Sequence, residues 1–445
     1  MKINHLHLHN FRAYKELSID FHPNFNIIIG GNGVGKTAIL EALTISIGSF
    51  FLGIDYAENR SIQNEDIRIV TQDFDINQKF PVRIDTTGEV NGETIEWTRE
   101  LTGAKTKTTH VNAKNIKEIA KKMQDDIRDG KPNIHLPVLV YYSTERLWKE
   151  RADTNPLQNM RLHDGYYNGL KATSNNKFFV KWFEKEEMVL LQQRKETFGL
   201  TVVRKAVVEC IENCKNIYFD FNRKELVLEF LDKHHPEQTK RMPFKYLSDG
   251  VRNMLAMIAD IAFRCAVLNP HFQTEAARRT EGIVLIDELD LHLHPAWQRQ
   301  VVKNLKDTFP NIQFIVTTHS PLILSASQDK VITINEDENG EAKAYYRQHT
   351  YGRTATDVLK NIMSTPERIN EVQELLDEYF ELIESGEGNT ENAKEIGTKL
   401  KQYLGQDDTE LMRAEMLLSF QEIEDEDEEQ DENSADNQED EFPSL

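Results

Sequence analysis

"FNIIIGGNGVGKTAILEAL", Phe25 to Leu43, decides the fold. Ile27 to Ile29 is an apolar run that reads as a buried strand. After it come Gly30, a stretch containing Asn32 and Gly33, then Gly35, Lys36 and Thr37. Apolar Ile39, Leu40 and Leu43 then step along a helix. Strand, glycine loop and helix stand in the order that a phosphate-binding loop requires. Glycines let backbone N–H groups curl around phosphate oxygens, and the helix N-terminus adds partial positive charge. Lys36 is expected on the β- and γ-phosphates and Thr37 on magnesium, so the expected ligands are ATP and Mg2+.

A second stretch, "IVLIDELDLHLHP" from Ile283 to Pro295, admits two readings. Asp287, Glu288, Asp290, His292 and His294 are all residue types that ligate zinc or iron. A magnesium-nucleotide site, however, needs a buried strand that delivers a carboxylate at its C-terminal end. Gly282 to Ile286 is such a strand, ending in Asp287 and Glu288. Asp287 is expected to hold the magnesium, and Glu288 to orient and deprotonate the attacking water. A further apolar strand, "IQFIVTTHS", ends in His319, where a sensor of the γ-phosphate belongs. With the acids serving the nucleotide, His292 and His294 read as loop residues without metal. His5, His7 and His9 alternate with Leu6 and Leu8 and read as the polar face of a first strand.

Composition fits these motifs. The chain has 445 residues, 39% of them hydrophobic and 29% charged, enough for a sizeable core. No apolar stretch reaches membrane-spanning length, and "MKINHLHLHNFRAYKEL" lacks the apolar centre of a signal peptide. Cys210, Cys214 and Cys265 make no disulfide framework, so a reducing cytoplasm is the expected location and no membrane is involved. Cys210 and Cys214 read as neighbours on one helix. The net charge is −21, of which −13 lies in the run from Gln421 to Leu445. That run is expected to be a disordered acidic tail, either solubilising or competing with nucleic acid for a basic surface. Between Lys105 and Lys131 basic residues concentrate, either as a solvated helix face or as a DNA-tracking patch.

"FKYLSDGVRNMLAMIADIAFRCAVLNP", Phe244 to Pro270, places Ser248 before a helix with an apolar stripe, an N-cap. Phosphate loop, "LSDGVR", "VLIDELD" and "TTHSP", in that order, resemble the ABC-type ATPase heads of the SMC, RecF and OLD group. The opening "HNFRAYKELSIDF" resembles that group's first hairpin. The resemblance implies that Arg12 approaches the nucleotide. It implies that Ser248 and Gly250 contact the γ-phosphate of ATP held by a second subunit, and that Asp290 lies in the loop where two heads meet. "LPVLVYYSTERLW", "RLHDGYYNGLKATSNNKFFVKWFEK" and the segment from "YGRTATDVLKNIM" resemble the PtuA-type ATPases of Septu anti-phage systems and their retron-associated relatives. This implies an HNH-type nuclease subunit as partner. The glutamine that such heads carry after the first helix is not assigned: Gln63, Gln72, Gln78 and the "YYSTER" turn all remain candidates.

The fold class is therefore α/β: an ABC-type head with a mixed sheet, an antiparallel flank, a short helical insertion and a helical C-terminal region. The expected divisions are an N-lobe over 1–150, the insertion over 151–215, a C-lobe over 216–350, helices over 351–420 and the tail over 421–445. The insertion is too short for long coiled-coil arms, since 1.5 Å per residue folded back gives roughly 40 Å. In "PERINEVQELLDEYFELIES", Pro366 suits a first helical turn. There Ile369, Val372, Leu376, Tyr379 and Ile383 form a stripe that either packs on the head or contacts the partner. The expected function is an ATPase that forms a homodimer, or a higher even-numbered oligomer, and switches an effector. Two alternatives stand beside it: a DNA-clamping repair head of RecF type and an OLD-like nuclease gated by ATP. No strand ending in glutamate, followed by one ending in Asp-x-Asp, appears after residue 350.

Overall fold

A computed structural model describes residues 1–420 except 73–74, 133, 145–161, 172–175, 233–234, 236, 339 and 348. The acidic tail, the end of the "YYSTER" turn and the first part of the insertion, with Arg161, lie outside the described residues. The chain divides into two compact units, one ending at Val358 and one beginning at Leu359.

The first unit opens with an antiparallel hairpin of β1 (Lys2–Phe11) and β2 (Tyr14–Asp20). Then β3 (Phe25–Gly30) leads through the glycine loop into α1 (Lys36–Phe51). β4 (Ile69–Gln72) and β5 (Asp75–Gln78) make a small hairpin that carries Gln72 and Gln78. β6 (Val82–Val90) and β7 (Glu93–Leu101) meet at Asn91-Gly92, whose φ values of 52° and 80° are what a two-residue hairpin turn needs. The flank is a four-stranded sheet in the order β2-β1-β6-β7. On β1, Leu6 and Leu8 are buried, while His5, His7 and His9 turn outward to Asp20, Glu16 and Asp85.

After α2 (Lys114–Arg128) and β8 (Val138–Tyr142), the insertion contributes α3 (Asn176–Gln193) and α4 (Phe198–Cys210), a short pair. A three-stranded sheet follows: β9 (Cys214–Asp220), β10 (Glu225–Leu231) and β11 (Thr239–Pro243). Cys210 and Cys214 are thus not helix neighbours. The first ends α4 and the second begins β9, because the chain turns at Ile211 to Asn213, where Asn213 takes a φ of 58°. The helix carrying the third motif is α5 (Asp249–Leu268), followed by α6 (Ala276–Arg279) and β12 (Gly282–Ile286). α7 (Pro295–Gln298), α8 (Val301–Thr308), β13 (Ile312–Thr317), α9 (Pro321–Ala326), β14 (Lys330–Glu336) and β15 (Ala342–Arg347) complete the unit.

The central sheet runs β15-β14-β3-β13-β12-β8, parallel except for β15. Every residue of β12 and β13 is buried; β12 reads as an unbroken apolar run, while β13 is broken by Gln313, whose amide donates to the Ile3 and His22 carbonyls. α1 is buried on almost every side. Its only residues outside the core are Thr37 and Glu41, one turn apart on one face. The chain thus has an α/β architecture, a mixed central sheet with an antiparallel flank. Among the described residues no helix is long and apolar enough to cross a membrane.

The second unit contains α10 (Ala355–Asn361) in its final turn, then α11 (Asn370–Glu384), α12 (Glu391–Leu404) and a helix over 409–420. Val372, Leu376, Tyr379 and Ile383 pack with Ala393, Ile396, Leu400, Leu411 and Ala414 into this unit's own core. Those four stripe residues are therefore covered within their own unit. Ile369 caps α11 and is 69% exposed, so it stands apart from the other four. Pro366 precedes the helix rather than opening it, since α11 begins only at Asn370. Arg368 reaches both carboxylate oxygens of Asp408, at 3.1 and 3.0 Å, and joins the start of α11 to the start of the last helix.

Candidate functional site

The phosphate loop is held from behind. Tyr14 on β2 donates its hydroxyl to the Val34 carbonyl at 2.7 Å. Gly35 takes a φ of 92°, and a Cβ there would stand 2.7 Å from the Tyr14 hydroxyl, so only glycine fits. No side chain caps α1, which leaves its first N–H groups for a ligand. Asn32 and Gly33 are exposed at the loop's tip. Lys36 lies back along the loop and donates to the carbonyls of Gly30 and Gly31, both at 2.9 Å. Burial lowers the pKa of its ammonium, and the carboxylates of Asp287, Glu288 and Asp290 oppose that shift.

Those carboxylates arrive at the end of β12. Thr37 donates its hydroxyl to Asp287 Oδ2 at 2.9 Å, which joins the phosphate loop to the acidic turn. Thr317 at the end of β13 donates to Asp287 Oδ1 at 2.6 Å and accepts from the Glu288 backbone N–H at 2.8 Å. Asp287 is 2% exposed, and Glu288 has a φ of 50°. A non-glycine residue in that region carries backbone strain of about 1–3 kcal/mol, a cost that concentrates at functional sites. Asp290 Oδ1 accepts from the Thr318 hydroxyl at 2.5 Å and the His319 backbone N–H at 3.2 Å. Lys36, Thr37, Asp287, Glu288, Asp290 and His319 thus come from three separate parts of the chain to one end of the central sheet.

Arg12, at the tip of the first hairpin, donates from Nε to Asp66 Oδ1 at 2.9 Å and pairs with Glu41. Arg60 stands 3.5 Å from both acids. Arg12 is therefore tied to the face of α1 that also carries Thr37. Gln63 bonds through its backbone to Asp66 and through its side chain to the Ser61 carbonyl. Ser248 caps α5 by position, but its side chain makes no capping bond and is exposed. Gly250 backs onto the acidic turn's continuation: a Cβ there would lie 2.0 Å from the His292 carbonyl oxygen. The signature thus contacts its own chain at His292 and Leu293 and presents Ser248 outward.

The histidines have other duties. His294 accepts from the Ala296 N–H at 3.3 Å as a cap of α7, and His292 is exposed with a φ of 59°. Among the described residues no group of three or more His, Cys, Asp and Glu is arranged to hold a metal ion. Magnesium asks for less: hard oxygens at one or two protein positions, with phosphate and water filling the rest. Thr37 Oγ1 and Asp287 Oδ2, 2.9 Å apart, fit that donor set. The motifs did not single out Thr317, Glu41, Arg60, Asp66 or Tyr14. Glu41 could have been found from its place one turn after Thr37. Arg60 and Asp66 lie in a segment with no motif.

A family model described as an AAA domain matches residues 5–218, and one described as an AAA ATPase domain matches residues 191–324. The chain is 27% identical to the Retron Ec83 probable ATPase of Escherichia coli, over 94% of this chain and 86% of that protein. It is 25% identical to Septu protein PtuA of Bacillus thuringiensis, over 85% of this chain and 90% of that protein. A shorter match, 40% identical, links 17% of this chain to 20% of the DNA replication and repair protein RecF of Lactococcus lactis. The chain is an ATPase, similar over most of its length to the retron and Septu ATPases.

Proposed function

We propose that two copies of this chain close face to face around two ATP molecules and so switch an effector in bacterial anti-phage defence. The observation that carries the reading is the divided site. One chain supplies the loop and carboxylates, joined by the Thr37–Asp287 bond, while its Ser248 is turned outward from α5. An outward signature serves a second subunit's nucleotide. Lys36 and the loop amides, with Gly30, Asn32, Gly33 and Gly35, hold the phosphates, and Arg12 lies beside them. Thr37 and Asp287 would hold magnesium, which when bound supplies positive charge against the phosphoryl oxygens. Glu288 takes a proton from the attacking water, and His319 faces the γ-phosphate. Ser248 and Gly250 of the opposite head complete the site, and Asp290 stiffens the loop between heads through Thr318 and His319. The likeness to retron and Septu ATPases supports the defence role and a separate HNH-type nuclease subunit. The RecF match supports a second reading, an ATP-gated DNA clamp, in which DNA alone would stimulate hydrolysis.

Light scattering with saturating ATP tests the shared site. Glu288→Gln should bind ATP, hydrolyse it about a hundredfold more slowly and accumulate as a dimer, since a general base contributes on that order. Adding Ser248→Arg should return it to monomers that still bind ATP. A Glu288→Gln protein that remains monomeric in ATP would refute the face-to-face arrangement.

A further inference from the structure

β8 ends in two tyrosines that go to opposite faces of the central sheet. Tyr142 turns to α5 and donates its hydroxyl to Asp260 Oδ2 at 2.8 Å. Tyr141 turns the other way. It pairs in register with Leu285, two residues before Asp287, so Tyr141 and Asp287 share a face. That is the face on which α1 carries Thr37, because Thr37 bonds to Asp287. Tyr141 is 3% exposed, its hydroxyl is wholly buried, and that hydroxyl has no hydrogen-bond partner among the described residues.

A buried hydroxyl without a partner carries an uncompensated desolvation cost, and the large majority of buried side-chain polar atoms are satisfied. Tyr142, one residue on, shows the satisfied case. Burial keeps the Tyr141 hydroxyl protonated, with Asp287 and Glu41 acting in the same direction. It is therefore a donor, held in a field set by the carboxylates of the acidic turn and of α1, with nothing to donate to. Backbone packing on both sides fixes it there: the Tyr141 N–H donates to the Gly169 carbonyl at 2.8 Å.

We propose that Tyr141 is a positioning residue for the magnesium nucleotide, its hydroxyl donating to ordered water that accompanies the metal beside Thr37 and Asp287. The proposal rests on the nucleotide reading above and adds a residue to it. The cost of the unpaired hydroxyl is then borne by the empty protein and relieved on loading, which favours the loaded state.

The test is Tyr141→Phe in the full chain, with ATPγS as the probe. The variant should melt no lower than the wild type without ligand, since no bond is lost. Its affinity for ATPγS with magnesium chloride should fall about three- to tenfold, the value of one neutral hydrogen bond. Its affinity for ATPγS in EDTA should not change. Tyr142→Phe is the contrast: it loses the bond to Asp260 and should melt lower, with the magnesium dependence unaltered. A lower ligand-free melting point for Tyr141→Phe, or undiminished affinity with magnesium, overturns the assignment of Tyr141 alone. A wild type that fails to bind ATPγS overturns the nucleotide reading together with it.

Discussion

The head's acidic turn and the C-terminal helical unit both place acids among apolar residues, yet they are built by opposite rules. In the C-terminal unit the helical spacing of the core residues agrees with the structure. Val372, Leu376, Tyr379 and Ile383 recur at helical spacing and are buried, and the acids between them face water. At the acidic turn preferences are overridden. Glu288 is held at a positive φ, the Asp287 side chain is buried, and the buried Lys36 donates to loop carbonyls. The difference separates residues retained for packing from residues that, in the proposed function, are held for a ligand.

Three substitutions break or sharpen that contrast. Lys36→Ala is expected to have the largest effect. The phosphates lose their lysine, and binding of ATP, followed by calorimetry, should be lost while the melting point hardly moves. Unchanged affinity would mean that Lys36 belongs to the packing class after all. Leu376→Ala should do the reverse. A cavity in the small core costs about 2–5 kcal/mol. Hydrogen exchange should quicken across α11 and α12 while ATP still binds, and a simultaneous loss of ATP binding would show that the two units depend on each other. Ile369→Ser should do least: an exposed residue outside the core changes stability within about 0.5 kcal/mol. A clear destabilisation would mean that Ile369 is covered in solution.

Much of the site was legible because short-range chemistry wrote it. The glycines of the loop, Lys36 and Thr37 lie within a dozen residues, in a pattern set by backbone conformation and by the phosphate contact proposed for it. The ends of β12 and β13 declared themselves through strands that are wholly or mostly apolar, as in a sheet covered on both faces. The hairpin at Asn91-Gly92 was readable for the same local reason. Cys210 and Cys214 show the limit. Helical spacing suggested one helix, but a turn intervenes and the second cysteine joins a sheet whose third strand, β11, carries little apolar signal.

By itself, then, the sequence pointed to an ATPase of α/β class and singled out the carboxylates that β12 delivers. Tertiary structure alone decided which groups meet. Thr37 reaches Asp287 across 250 residues, Arg12 meets Asp66 across 54, and Gly250 lies against the His292 carbonyl. The apolar stripe of α11 could have covered any surface, and only the arrangement of three helices assigned it to their own core. The reason is the range of the forces. Backbone conformation and side-chain periodicity act between near neighbours, so they leave patterns in the chain. The partner of a buried hydroxyl or carboxylate is chosen by packing between distant segments, and no single segment records that choice.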